Sequence, residues 1–103
     1  MYQGETVTTT IHDLPIPTSV IQDIYLVYRT ATKTVLEKST LTHKDDFEVE
    51  EYCVSCTITQ EESLKLPCGP LYRSFIFITT DGSRIERVND ELVCGKTAKR
   101  EVL

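Results

Sequence analysis

Two thiols three residues apart, Cys53 and Cys56 in the stretch EYCVSCTIT, are the first residues of this chain whose spacing suggests chemistry. A zinc knuckle or a redox turn needs both sulfurs on one side of a tight turn or a helix start. The surrounding residues instead alternate and are rich in Val, Thr and Ile, which predicts an extended strand. Positions three apart on a strand point to opposite faces, so Val54, Cys56 and Ile58 share one face while Cys53, Ser55 and Thr57 share the other. Cys56 then reads as a small core residue and Cys53 as an outward thiol. Cys68 and Cys94 are isolated, with no histidine within a few residues. Four cysteines are too few for a disulfide framework, and four reduced thiols with no metal or other cofactor are expected. Outside a cell a disulfide between two of them stays open, and spacing alone does not say which pair.

The remaining chemistry-bearing residues are sparse. His12 and His43 fall beside strand ends or loops, with no nucleophile and orienting carboxylate arranged around either. Asp45, Asp46, Glu48, Glu50 and Glu51 lack the Gly-punctuated spacing of a calcium loop and read as a solvated, repelling loop and strand edge. Four glycines form no phosphate cradle, and no Gly-x-Ser-x-Gly elbow is present. The chain is expected not to be an enzyme.

The elements that would position these residues follow from composition and pattern. One domain spanning residues 1–103 is expected, long enough to fold around a single core without a metal or disulfide staple. No apolar run approaches the ~20 residues of a membrane span, and the first residues carry no basic patch followed by an apolar block, so neither a secretory signal nor a transit peptide is visible. Eleven basic against 16 acidic residues leave a net charge of −5, which works against binding a phosphate backbone.

ETVTTTIH predicts a first strand with Val7, Thr9 and Ile11 on one side, stopped by Pro15 and Pro17 in DLPIP. In DIYLVYRT, Ile24, Leu26 and Tyr28 face a core while Tyr25 and Val27 lie on the other side. TVLEKS reads as its hairpin partner across TATK, THKDD as an exposed loop, and FEVEEYCVSCTIT as further β structure. Thr59 and Glu62 have the spacing of a capping box, predicting a helical turn near 60–64. Asp81-Gly82 supplies the positive φ angles of a tight turn, so the strands of LYRSFIFITTDGSRIERV should pair across it. ELVCG extends the last strand or forms another short one, and KTAKREVL reads as a mixed-charge tail. Six to eight short strands with one helical turn predict an all-β fold, an antiparallel immunoglobulin-like β-sandwich, with a small barrel as the alternative.

FIFI adds a functional expectation. Phe75 and Phe77 fill the core from one face, which leaves Ile76 and Ile78 on the other with Tyr25 and Val27. These four would form an apolar patch suited to a protein contact, or one covered by a loop or the C-terminal tail.

The order QGETVTTTI, VIQDIYLVY, KTVLEKS, TITQEESLKL and FIFITTDGSRI resembles small structural proteins of tailed phages and prophages of Gram-positive gut bacteria. It is also similar to the immunoglobulin-like N-terminal domain of phage upper baseplate proteins. The resemblance runs from Gln3 to about Cys94. This chain differs in placing Tyr25 and Val27 where those relatives carry polar outward residues, and in having Cys53 and Cys56. The resemblance implies a non-enzymatic virion component, made in the bacterial host cytoplasm, that binds tail, baseplate or connector proteins in a symmetric homo- or hetero-oligomeric assembly. Neither nucleic acid nor membrane is an expected partner. Two other readings stand beside it: a small metal-binding or redox domain using Cys53, Cys56, Cys68 and Cys94, and a carbohydrate- or cell-surface-binding sandwich in which Tyr2, Tyr52 or Tyr72 stacks on sugars.

Overall fold

The computed structural model describes residues 2–95, apart from the side chains of residues 88–90; the KTAKREVL segment lies outside the described residues. Two antiparallel sheets face each other. One holds β1 (Val7–Ile11), β5 (Cys53–Ile58) and β4 (Phe47–Glu50) in the order β1-β5-β4. The other holds β3 (Thr34–Ser39), β2 (Ile21–Arg29), β6 (Gly69–Thr79) and β7 (Arg84–Cys94) in the order β3-β2-β6-β7. A five-residue helix α1 (Gln60–Leu64) links β5 to β6 and crosses between the sheets.

Alternation decides what each strand contributes to the interior. Ile24, Leu26 and Tyr28 pair with Phe77, Phe75 and Arg73 of β6 and share their face. Against them lie Ile11 of β1 and Val54, Cys56 and Ile58 of β5, all buried. The Phe75 and Phe77 rings stack with centroids 6.0 Å apart and planes 15° from parallel. Burying side chains of this size contributes about 1.5–3 kcal/mol each, which makes this stack the centre of the core. A polar tie also crosses the gap, where an Arg73 guanidinium N–H donates to Thr9 Oγ1 at 2.9 Å.

The punctuation works as local chemistry requires. Thr59 Oγ1 accepts from the Glu62 amide at 3.2 Å while Glu62 Oε1 accepts from the Thr59 amide at 2.8 Å, closing the capping box at the start of α1. The β6–β7 hairpin turns through Gly82 at φ +89°, a conformation that a side chain resists, whereas Asp81, expected to share the positive φ, does not adopt it. There the Thr79 hydroxyl donates to the Asp81 carboxylate, which also accepts from the Ser83 amide at 3.0 Å. These bonds hold the Asp81 carboxyl below the usual carboxylate range, that from Thr79 contributing most.

Two expectations change in three dimensions. FEVEEYCVSCTIT, expected as further β structure without a turn assigned inside it, breaks at Glu51-Tyr52 into β4 and β5, which pair as Phe47↔Cys56 through Glu50↔Cys53. The acidic loop is not wholly solvated and repelling either, because a 3-10 turn at Lys44–Asp46 brings Asp46 back onto the body of the protein.

Candidate interaction surface

The ladder registers assemble the outer face of the four-stranded sheet. Tyr25 pairs directly with Ile76, Val27 with Ser74, and Asp23 with Ile78, so Tyr25, Val27, Ile76 and Ile78 do share the side facing away from the core. Their availability differs. Tyr25, Ile76 and Ile78 are half-buried, whereas Val27 keeps only 9% of its surface exposed and lines the floor of the patch. Charged residues frame the patch. Glu37 on β3 pairs with Val27, while on β7 Arg84 pairs with Ile78 and Glu86 with Ile76. Arg84 and Glu86 approach each other at 3.7 Å in an exposed ion pair. A small apolar centre inside a charged frame is the composition of a modest protein-binding surface.

Behind this face the four-stranded sheet holds a buried cation. Lys38 pairs with Leu26 across the β2–β3 ladder and therefore points inward, and its side chain is 0% exposed. An ammonium there needs an acceptor for each proton. It donates to Thr57 O at 2.8 Å and to Glu62 Oε1 at 2.7 Å, and lies 2.7 Å from Asp46 Oδ2. Burial alone would lower the Lys38 pKa, but hydrogen bonds and charge from Asp46 and Glu62 outweigh it and hold the pKa above its ordinary value. Glu62 shows the reciprocal balance: burial raises its pKa, yet the bonds from Lys38 and the Thr59 amide bring it below the ordinary range. The cluster is a clamp joining β3, the 44–46 turn, β5 and α1. Glu62 was marked in the sequence only as a capping-box residue, and neither Lys38 nor Asp46 carried a sign of the cluster, although the inward parity of Lys38 could have been read from TVLEKS once its pairing was known.

The thiols are separated. Val54, Cys56 and Ile58 are buried, while Cys53, Ser55 and Thr57 are half-buried on the opposite face, as the alternation predicts. Burial pushes the Cys56 thiol up to about 12, with Lys38 opposing, and burial also raises the Cys94 thiol. Cys68 is exposed, and all four thiols are free. Among the described residues no three of His, Cys, Asp and Glu converge on a metal position. One contact went unforeseen: His12 Nδ1 lies 3.5 Å from Cys53 Sγ across the β1–β5 pair, 41 residues away in sequence. His43 Nδ1 shares a 2.8 Å hydrogen bond with the Thr42 hydroxyl.

A second surface feature sits at the tip of the β2–β3 hairpin. Arg29, Thr30, Thr32, Lys33 and Tyr72 line an open groove of about 570 Å³. A second groove of about 380 Å³ shares Thr30, Lys33 and Thr34 with it and adds Lys65.

The strand orders define the class of protein. A sheet of three strands ordered β1-β5-β4 against one ordered β3-β2-β6-β7 follows the B-E-D and C′-C-F-G strand order of an immunoglobulin-like sandwich. An isolated parallel bridge between Tyr2 and Gly95 adds the N-terminal segment to the β7 side. The chain is an immunoglobulin-like β-sandwich. No protein-family profile and no curated protein matches the sequence. Among solved structures, the V domain of amphioxus IgVJ-C2 aligns with 92% of this chain and 95% of its own length, at 15% identity and a TM-score of 0.38. The class assignment therefore rests on strand order and register.

Proposed function

We propose that this chain is a non-enzymatic adaptor that binds other proteins through the outer face of its four-stranded sheet. The observation that carries the reading is the Tyr25↔Ile76 pair, extended by Ile78 and framed by Glu37, Arg84 and Glu86. Apolar side chains at the centre of a sheet face gain from a partner that removes their remaining surface from water, and the charges around them select its orientation. Tyr25, Ile76 and Ile78 are the contact residues and Val27 supports them from below.

The sequence resemblance to phage structural proteins supplies the partner class: tail, baseplate or connector proteins in a symmetric particle. That part of the proposal rests on the resemblance alone. The test is the double substitution Ile76→Lys and Ile78→Lys, with folding checked by circular dichroism and thermal melting. Loss of incorporation into particles, or of the purified partner complex, with the fold retained is the expected result. Normal incorporation by a folded double variant removes this face from the proposal.

A further inference from the structure

The hairpin-tip grooves carry an inference independent of the Tyr25↔Ile76 face. Although the chain as a whole carries a net charge of −5, Arg29, Lys33 and Lys65 line two grooves that share Thr30, Lys33 and Thr34 and whose lining includes no Asp or Glu. All three cations are exposed, and none has an ion-pair partner among the described residues. Glu91, across Tyr72 from Arg29, is the carboxylate next along the ladder; like charges held together with no counter-charge in the lining cost electrostatic energy, so the arrangement favours an external anion.

The groove is also shaped before any ligand arrives. The Thr30 amide donates to Lys33 O at 2.8 Å, and Thr30 Oγ1 accepts from the amides of Thr32 and Lys33 at 3.4 and 3.3 Å. These bonds fix the loop that carries Lys33 relative to the strand that carries Arg29. On the β6 side, the half-buried Tyr72 is the ladder partner of Arg29, and both line the first groove. A guanidinium takes a carboxylate or phosphate through two parallel N–H bonds, and an aromatic ring packs on the apolar face of a sugar.

We propose that this hairpin-tip groove binds an acidic saccharide chain, with Arg29, Lys33 and Lys65 holding its anionic groups and Tyr72 packing against a ring. Open grooves that spread three cations along a hairpin suit successive units of a polymer better than one enclosed small molecule. Carboxylate-bearing and phosphate-bearing saccharides share this chemistry, and the probes distinguish them.

The experiment titrates ¹⁵N-labelled full-length chain with oligogalacturonate, with phosphomannan oligosaccharides and with neutral maltohexaose, at low and physiological salt. The expected result is saturable shifts at Thr30, Ala31, Thr32, Lys33 and Tyr72 with one of the anionic probes, weakening as salt rises and absent with maltohexaose. Arg29→Gln with Lys33→Gln should weaken binding by roughly tenfold or more while leaving the spectrum folded. Tyr72→Ala should weaken saccharide binding but not the response to inorganic phosphate. The proposal is overturned by no saturable shift with either anionic probe, by equal binding of maltohexaose, by equal or tighter binding of a poly-glutamate peptide, or by unchanged affinity in the Arg29→Gln/Lys33→Gln variant. Ile76→Lys with Ile78→Lys should leave saccharide binding intact, which keeps failure of this site distinct from failure of the sheet-face proposal.

Discussion

Lys38 Nζ lies 2.7 Å from Glu62 Oε1, and the same Glu62 oxygen accepts the Thr59 amide at 2.8 Å. One carboxylate thus closes the cap of α1 and neutralises a lysine on the opposing sheet. A local helix-start device and a long-range sheet contact are joined in a single side chain.

Removing the amine should be costly because it leaves Glu62, Asp46 and Thr57 O without their shared donor. Lys38→Met is expected to destabilise the fold by about 2–4 kcal/mol, less than a fully dry pair would lose because both carboxylates keep some contact with water. Glu62→Gln retains a capping-box side chain while deleting its charge, and should cost about 1–2 kcal/mol. Urea unfolding monitored by circular dichroism measures both; a Lys38→Met midpoint equal to the parent's would show that the clamp has no net stabilising effect.

The same cluster sets a pH window. The folded pKa of Glu62 is depressed, so its contribution is present above its unfolded value of about 4.3 and is lost as pH falls through the folded pKa. Lys38 is raised, so its contribution is complete below the unfolded value of about 10.4 and is lost as pH rises through the folded pKa. Thermal melts from pH 2 to 12 should show a plateau bounded on both sides, and in Lys38→Met both edges should flatten. Unchanged edges in that variant would assign them to other groups.

Thiol reactivity should follow burial and not sequence spacing. Cys68 is exposed and Cys53 half-buried, whereas Cys56 and Cys94 are buried with raised pKa values. Native protein treated with iodoacetamide at pH 8 should be labelled first at Cys68 and then at Cys53, with Cys56 and Cys94 protected until denaturant is added. Peptide mass spectrometry resolves the order, and early labelling of Cys56 would contradict its place in the core.

The hairpin at Asp81-Gly82 offers a test free of packing effects. A Cβ at Gly82 would touch nothing within 4 Å, so Gly82→Ala changes only the backbone, held at φ +89°. It should cost about 1 kcal/mol, and Gly82→Asn less, because asparagine tolerates this region. Comparison of the two melting temperatures checks the ranking.

Much of the fold was legible because its determinants are local. The alternation of VSCTI separated Cys53 from Cys56, the Thr59–Glu62 spacing announced α1, and Asp-Gly marked the late hairpin; each depends on residues within a few positions of one another. The apolar face was half legible. Parity placed Tyr25, Val27, Ile76 and Ile78 on one side, but only neighbour packing determined that Val27 is nearly closed off.

What the sequence alone determined, then, is which side of each strand is apolar and where the chain turns, since the two-residue period and turn conformations are properties of short segments. Tertiary structure alone decided that Asp46 folds back to Lys38, that Glu62 reaches it from 24 residues away, and that His12 meets Cys53 from 41. It also brought Lys65 beside the Arg29–Lys33 hairpin. These contacts depend on which strands become neighbours. The choice among pairings is made by the whole core at once, and a charged side chain carries no periodic mark of the partner it will meet across it.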